Sequence, residues 1–101
     1  MSRPVTKVLL KNCESVSELL KSLAHPVRLK ILCQLMEQPR HVGELTEFCD
    51  ISQSAMSQFL SRMKNEGILI SERKHNFVYY RVAEEKVVQL LKAIKEIYCD
   101  P

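Results

Sequence analysis

Apolar residues recur at intervals of three and four along the first part of the chain: Val16, Leu19, Leu20 and Leu23 form a stripe that Val5, Leu9 and Cys13 extend backwards. This is the period of an amphipathic helix with one face to bury. Ser15-Val16-Ser17-Glu18 has capping-box spacing, which predicts a helix from there to about Ala24. Pro26 suits the first turn of a second helix, where its missing N–H costs nothing. Val27, Ile31, Leu32 and Leu35 supply the apolar face until Pro39 forbids continuation, so this helix is predicted over His25–Glu37.

Val42, Leu45 and Phe48 keep helical spacing over a short segment, and Cys49-Asp50-Ile51 makes a tight connection. Ser52 is then a good N-cap for a helix lasting to Gly67. In that helix Ala55, Met56, Leu60 and Met63 are the packing positions, while Gln53, Ser54, Ser57, Gln58 and Ser61 gather opposite them. An ordinary solvated face would carry Lys and Glu pairs. Short Ser and Gln side chains instead suit close approach to base edges in a major groove, with Arg62 and Lys64 holding phosphates.

Beyond Gly67 the period shifts. Ile68-Leu69-Ile70 and Phe77-Val78-Tyr79-Tyr80-Arg81-Val82 read as strands rich in branched and aromatic residues, joined by Arg73-Lys74-His75-Asn76, where Asn76 tolerates a left-handed conformation. A hairpin with a cationic tip after a helix-turn-helix is a wing, and its Arg73, Lys74 and His75 are candidates for backbone or minor-groove contact. Tyr79 and Tyr80 are read as strand and core residues. Glu84 and Glu85 open a last helix in which Val87, Val88, Leu90, Leu91, Ile94, Ile97 and Tyr98 are apolar on more than one face. A terminal helix of that kind is a candidate dimer contact, with the first helix as its neighbour.

Composition narrows the function. The chain has 101 residues, 46% hydrophobic and 27% charged, with only 2 Gly, which fits one helix-dominated domain over residues 1–101. Its net charge of +3 is mild, but from Ser52 to Val82 five cations face two acids, so the whole formal excess sits beside the candidate reading helix. No apolar run suits a membrane span, and Met1-Ser2-Arg3-Pro4 does not begin a signal peptide, so a cytoplasmic location is expected. Cys13, Cys33, Cys49 and Cys99 form no C-x-x-C pair, which argues against a disulfide scaffold and a zinc finger. Three His spread over loops and no Gly-rich turn supply no nucleophile, base and oxyanion pocket, so an enzyme is not expected. No cofactor or metal site is expected either. His25 is read as a residue of the second helix's first turn rather than a metal ligand.

The segments now in hand resemble the ArsR/SmtB family along almost the whole chain. Leu20-Lys21-Ser22-Leu23-Ala24-His25-Pro26-Val27-Arg28-Leu29-Lys30-Ile31-Leu32 is similar to that family's approach to its second helix, and Ser52-Gln53-Ser54-Ala55-Met56-Ser57-Gln58-Phe59-Leu60 to its recognition helix. Glu66-Gly67-Ile68-Leu69 and Val78-Tyr79-Tyr80 resemble the start and return of its wing. The chain departs from the family at Phe59, where His is frequent, and in a wing tip without Gly. The resemblance implies a mainly α winged helix-turn-helix with a β-hairpin wing, in ααααββα order. It places the helix-turn-helix over about 41–66, the wing over about 68–82, and dimerising first and last helices over about 5–24 and 84–99. It also implies a homodimer on duplex DNA at an imperfect palindromic operator, released by an inducer.

The family's metal sensors carry a Cys-x-Cys cluster before the recognition helix, or Asp and His ligands on the last helix. Here Thr46, Glu47 and Phe48 surround a lone Cys49, and Val87–Cys99 holds no His. Leu32-Cys33-Gln34-Leu35 and Ile97-Tyr98-Cys99-Asp100 instead resemble the cysteines of the sulfide- and oxidant-sensing BigR, HlyU and SqrR branch. That resemblance implies a redox switch in which an oxidant or reactive sulfur species bridges Cys33 and Cys99. Taken without it, a cysteine among Leu29, Leu32 and Met36 is commonly a small buried hydrophobe. Cys13 and Cys49 are read as structural, with Cys13 an alternative bridging partner. The alternatives are a metal- or metalloid-responsive repressor through Cys13 or Cys49, and a winged-helix module for protein contacts.

Overall fold

A computed structural model describes residues 7–99, so Val5 and Asp100 lie outside the described residues. The element order is α1 (Lys7–Leu23), α2 (Pro26–Glu37), β1 (Arg40–His41), α3 (Val42–Cys49), α4 (Gln53–Asn65), β2 (Leu69–Lys74), β3 (Phe77–Val82) and α5 (Glu85–Tyr98). This is the winged helix-turn-helix expected from the sequence, with one strand more than foreseen.

Two expectations are corrected. Helix α1 runs unbroken through Ser15, whose hydroxyl donates to the Asn12 carbonyl at 3.0 Å instead of capping a helix start. Capping spacing acts only where N–H groups are orphaned, and inside a helix they already have partners. At the wing, the strands extend to Lys74 and from Phe77, leaving a turn of His75 and Asn76 in which His75, not Asn76, takes the left-handed conformation with φ 57°. Arg73 pairs with Val78 and Lys74 with Phe77, so the two cations expected in the turn continue the ladder. Long charged side chains are compatible with an exposed strand end, and His is among the residues that tolerate positive φ.

The added strand, β1, pairs Arg40 with Tyr80 and His41 with Tyr79, giving an antiparallel sheet in the order β1-β3-β2. Two residues are too few for a period-2 pattern to register in sequence. Helix starts follow side-chain chemistry: His25 caps α2 with its Nδ1 accepting from the Val27 N–H at 3.1 Å, and Ser52 caps α4 by accepting from the Ala55 N–H at 3.1 Å. Gly67, at φ 81°, turns the chain from α4 into the wing in a conformation that costs glycine little.

The core gathers Ile31, Leu32 and Leu35 of α2, Leu45 and Cys49 of α3, Met56, Leu60 and Met63 of α4, Leu69 and Val82 of the sheet, and Val87 and Leu91 of α5. Helix α1 contributes only Leu23 as a buried residue, with Leu19 packed beside it. The body of the molecule is thus α2 to α5 plus the sheet, and α1 joins it by its last turn.

Candidate nucleic-acid interface and thiol pair

Gln53, Ser54, Ser57, Gln58, Ser61, Arg62 and Lys64 are all exposed, on the side of α4 away from buried Met56, Leu60 and Met63. Ser57, Gln58, Ser61 and Arg62 line one shallow depression. Both ends of this helix are fastened. Ser52 holds the start, and at the other end Arg28 of α2 takes both carboxylate oxygens of the C-cap residue Glu66, at 2.7 and 2.8 Å. The ionised pair raises the Arg28 pKa and lowers that of Glu66, chiefly through the shared hydrogen bonds. Phe59, half-buried, lies with its ring 5.2 Å from that of His25.

The wing is anchored from β1. His41 stacks on Phe77 with ring centroids 4.6 Å apart and meets the edge of Tyr79 at 5.5 Å. The His41 N–H also donates to Glu44 Oε1 at 3.1 Å. Beside it, Arg40 lies over the Phe48 ring at 5.1 Å and donates through Nε to the Gln34 carbonyl at 3.2 Å. Arg73, Lys74 and His75 are all exposed at the tip. Strand alternation sends Arg73 and Lys74 to opposite faces of the hairpin, with Lys74 and His75 bordering a cleft with Gln38, Pro39 and Tyr79. Tyr80 packs against the core, as read from the sequence.

The thiols divide into two kinds. Cys49 is buried in the core, where desolvation raises its pKa. Cys33, on α2, and Cys99, the C-cap of α5, are exposed, as is Cys13 on α1. Seen in this chain alone, Cys33 is therefore not the buried hydrophobe that its apolar neighbours suggested. Helix α5 packs on α2, and the Cys33 thiol pKa is raised first by the crowding of its apolar surroundings and second by the negative charge of the Cys99 thiolate. Among the described residues no three His, Cys, Asp or Glu side chains gather in a metal-ligating group.

A sequence profile described as "Bacterial regulatory protein, arsR family" matches residues 25–71, from the cap of α2 into the wing. Over 91 residues the chain is 40% identical to the Biofilm growth-associated repressor of Agrobacterium fabrum, covering 90% of this chain and 78% of that protein. The chain belongs to the arsR family. It is 39% identical to the HTH-type transcriptional regulator YgaV of Escherichia coli over 92 residues, 90% of this chain and 93% of that one. The crystal structure of the transcriptional repressor BigR from Xylella fastidiosa superposes with a TM-score of 0.85 at 37% identity, covering 100% of both chains. Reduced HlyU from Vibrio cholerae superposes at 0.84 and 30% identity, covering 94% of this chain and 100% of that one. These relatives are transcriptional regulators rather than enzymes, and this arsR-family chain is a transcriptional regulator with them.

Sequence reasoning missed Arg28, Glu66, Arg40, His41 and Glu44 as residues that tie α4 and the wing to the rest of the fold. One signal was available: His41-Val42-Gly43-Glu44 has the spacing of a helix start with its N3 carboxylate. The Arg28 contact to Glu66 spans 38 residues and had no local signature.

Proposed function

We propose that this regulator is a homodimeric repressor that reads an imperfect palindromic operator through α4 and leaves it when Cys33 and Cys99 are bridged. Gln53, Ser54, Ser57, Gln58 and Ser61 read base edges, while Arg62, Lys64, Arg73, Lys74 and His75 hold phosphates. The polar face of α4, fastened at Ser52 and Glu66, supports the reading role. Dimerisation is supported by exposed apolar residues on the first and last helices: Val8 is 67% exposed, Leu10 61%, Ile97 72% and Tyr98 80%. With no helix among the described residues long and apolar enough to cross a membrane, those side chains suit a protein partner, and a second copy brings the same surface.

The observation that carries the switch is the Cys33 and Cys99 pair, both exposed, one on α2 and one at the end of the α5 that packs on it. A reduced form of the similar HlyU has been crystallised. The chemistry closes on two thiols. A small persulfide, RSSH, transfers its outer sulfur to the Cys33 thiolate and leaves as RS⁻. The Cys99 thiolate then attacks the inner sulfur of the Cys33 persulfide, forming the disulfide and releasing HS⁻. With peroxide, the Cys33 thiolate attacks one oxygen, the O–O bond breaks and hydroxide leaves, giving a sulfenic acid whose condensation with the Cys99 thiol releases water. Either route joins α2 to α5 covalently.

The test is mass spectrometry after a persulfide donor and, separately, peroxide, alongside affinity for a promoter fragment at two salt concentrations. The expected result is a Cys33–Cys99 bridge and lost binding in treated protein, with steep salt dependence in untreated protein. A Cys33→Ser, Cys99→Ser double variant that still releases DNA on treatment would sink the dithiol switch. Binding that is weak and indifferent to salt would point to the protein-contact module instead.

A further inference from the structure

The guanidinium of Arg28 joins three elements at once. Nη1 and Nη2 donate to the two carboxylate oxygens of Glu66, and Nη1 also donates to the Ser22 carbonyl at 3.1 Å. Ser22 lies in the last turn of α1, where carbonyls have no partner within the helix, and Glu66 is the residue that ends α4. The Arg28 side chain is only 13% exposed while Glu66 is 42% exposed, so the guanidinium is held against the body and the carboxylate faces solvent. A planar guanidinium can make two parallel bonds to a carboxylate and keep a further donor for a carbonyl, whereas an ammonium can hold charge but not that geometry.

The location gives the contact its importance. Helix α1 is 17 residues long, yet Leu23 is its one buried residue among those described, with Leu19 partly buried a turn earlier, so its direction relative to the body is set in its C-terminal part. Arg28 acts at the helix's last turn. Val8, Leu10, Val16 and Leu20 of α1 remain exposed along the rest of the helix. In a two-fold dimer built on α1, the axis fixes α1, Arg28 fixes the end of α4 relative to α1, and the partner repeats the same relation.

We infer that Arg28 and Glu66 are positioning residues that set the separation and rotation of the two α4 helices in the dimer, and through them the half-site spacing the regulator accepts. This rests on the dimeric DNA-binding reading above. Half-sites for paired recognition helices lie about one helical turn apart or a multiple of it, so each added base pair rotates one site about the axis by roughly 34°. A rigid pair of helices rejects that rotation; a pair free to swivel at the α1 junction accepts it.

The experiment uses the full-length protein, reduced throughout. Wild-type protein first selects its preferred duplex from a random library. That duplex is then rebuilt with its half-site spacing lengthened or shortened by one base pair. Binding is measured for wild type, Arg28→Lys and Glu66→Gln, with dimer mass followed by light scattering and folding by circular dichroism. Wild type is expected to lose about tenfold or more on each spacing change, and the variants about threefold or less, while dimer mass stays the same. Glu66→Gln keeps the shape of an exposed side chain, so it remains a fair test even if Arg28→Lys folds poorly. Variants that keep the wild-type spacing ratio would overturn the inference, whatever happens to their melting temperatures. A wild-type protein that stays monomeric or selects no duplex would overturn this inference together with the reading beneath it.

Discussion

The imidazole of His41 lies nearly parallel to the ring of Phe77, 26° from coplanar, which ties the end of β1 to the first residue after the wing tip. Because His41 also precedes α3, its side chain links the wing tip to the helix-turn-helix, alongside the backbone pairing of β1 with β3.

Replacing His41 with Ala removes the stack, and replacing Phe77 with Ala removes it from the other side. Each is expected to lower stability by about 1 kcal/mol in urea unfolding, the size of an exposed aromatic pair. Amide exchange should rise across Arg73 to Phe77 before it rises in α4. Equal protection of the tip in His41→Ala and wild type would show that the stack does not hold the wing.

Partial desolvation raises the Cys33 pKa most and the charge of Cys99 raises it further, so Cys99→Ser is expected to lower it while leaving the larger effect in place. The pH profile of alkylation by iodoacetamide, read at Cys33 by mass spectrometry, measures this directly; an unmoved midpoint would exclude the coupling. The sign extends to stability. A thiol whose pKa is raised on folding contributes stability below the thiol range of the unfolded chain and loses it as pH rises through the raised value. Alkaline destabilisation should therefore be milder in Cys33→Ser than in wild type.

Charge placed in the exposed stripe of α1 should separate the subunits of the proposed dimer. Val16→Glu or Leu20→Glu is expected to give a monomer by analytical ultracentrifugation and to remove the concentration dependence of Tm. Operator affinity should fall by orders of magnitude, because two half-sites are no longer engaged together. A dimer of unchanged mass in both variants would place the interface elsewhere.

The α4 face and the wing should fail in different ways. Arg73→Ala is expected to weaken binding to all duplexes alike and to reduce the salt slope by about 1, as for a lost phosphate contact. Gln58→Ala should leave the slope alone and relax base preference at one operator position, costing about 1–3 kcal/mol there. Specificity profiles at several salt concentrations distinguish the two; a change in base preference in Arg73→Ala would reassign the wing.

Much of the fold was written in local periodicity. The stripes of α1, α2 and α4, the cap at Ser52 and the branched residues of β3 each encode an element within a few residues, because helix and strand periods act over that range. The polar face of α4 was legible for the same reason. Local signals also misled. Ser15 looked like a cap because spacing alone does not reveal that the preceding turns are helical, and Cys33 looked buried because its neighbours along α2 are apolar.

The sequence by itself thus determined the helix-turn-helix, the wing, the polar face of α4 and the family resemblance. Only the tertiary structure decided what holds them in register. It brought Arg28 to Glu66 across 38 residues, laid His41 on Phe77 through a two-residue strand, and packed α5 on α2 while leaving Cys33 exposed. Those relations depend on how separate elements pack, and packing joins residues by distance in space, on which periodicity along the chain is silent.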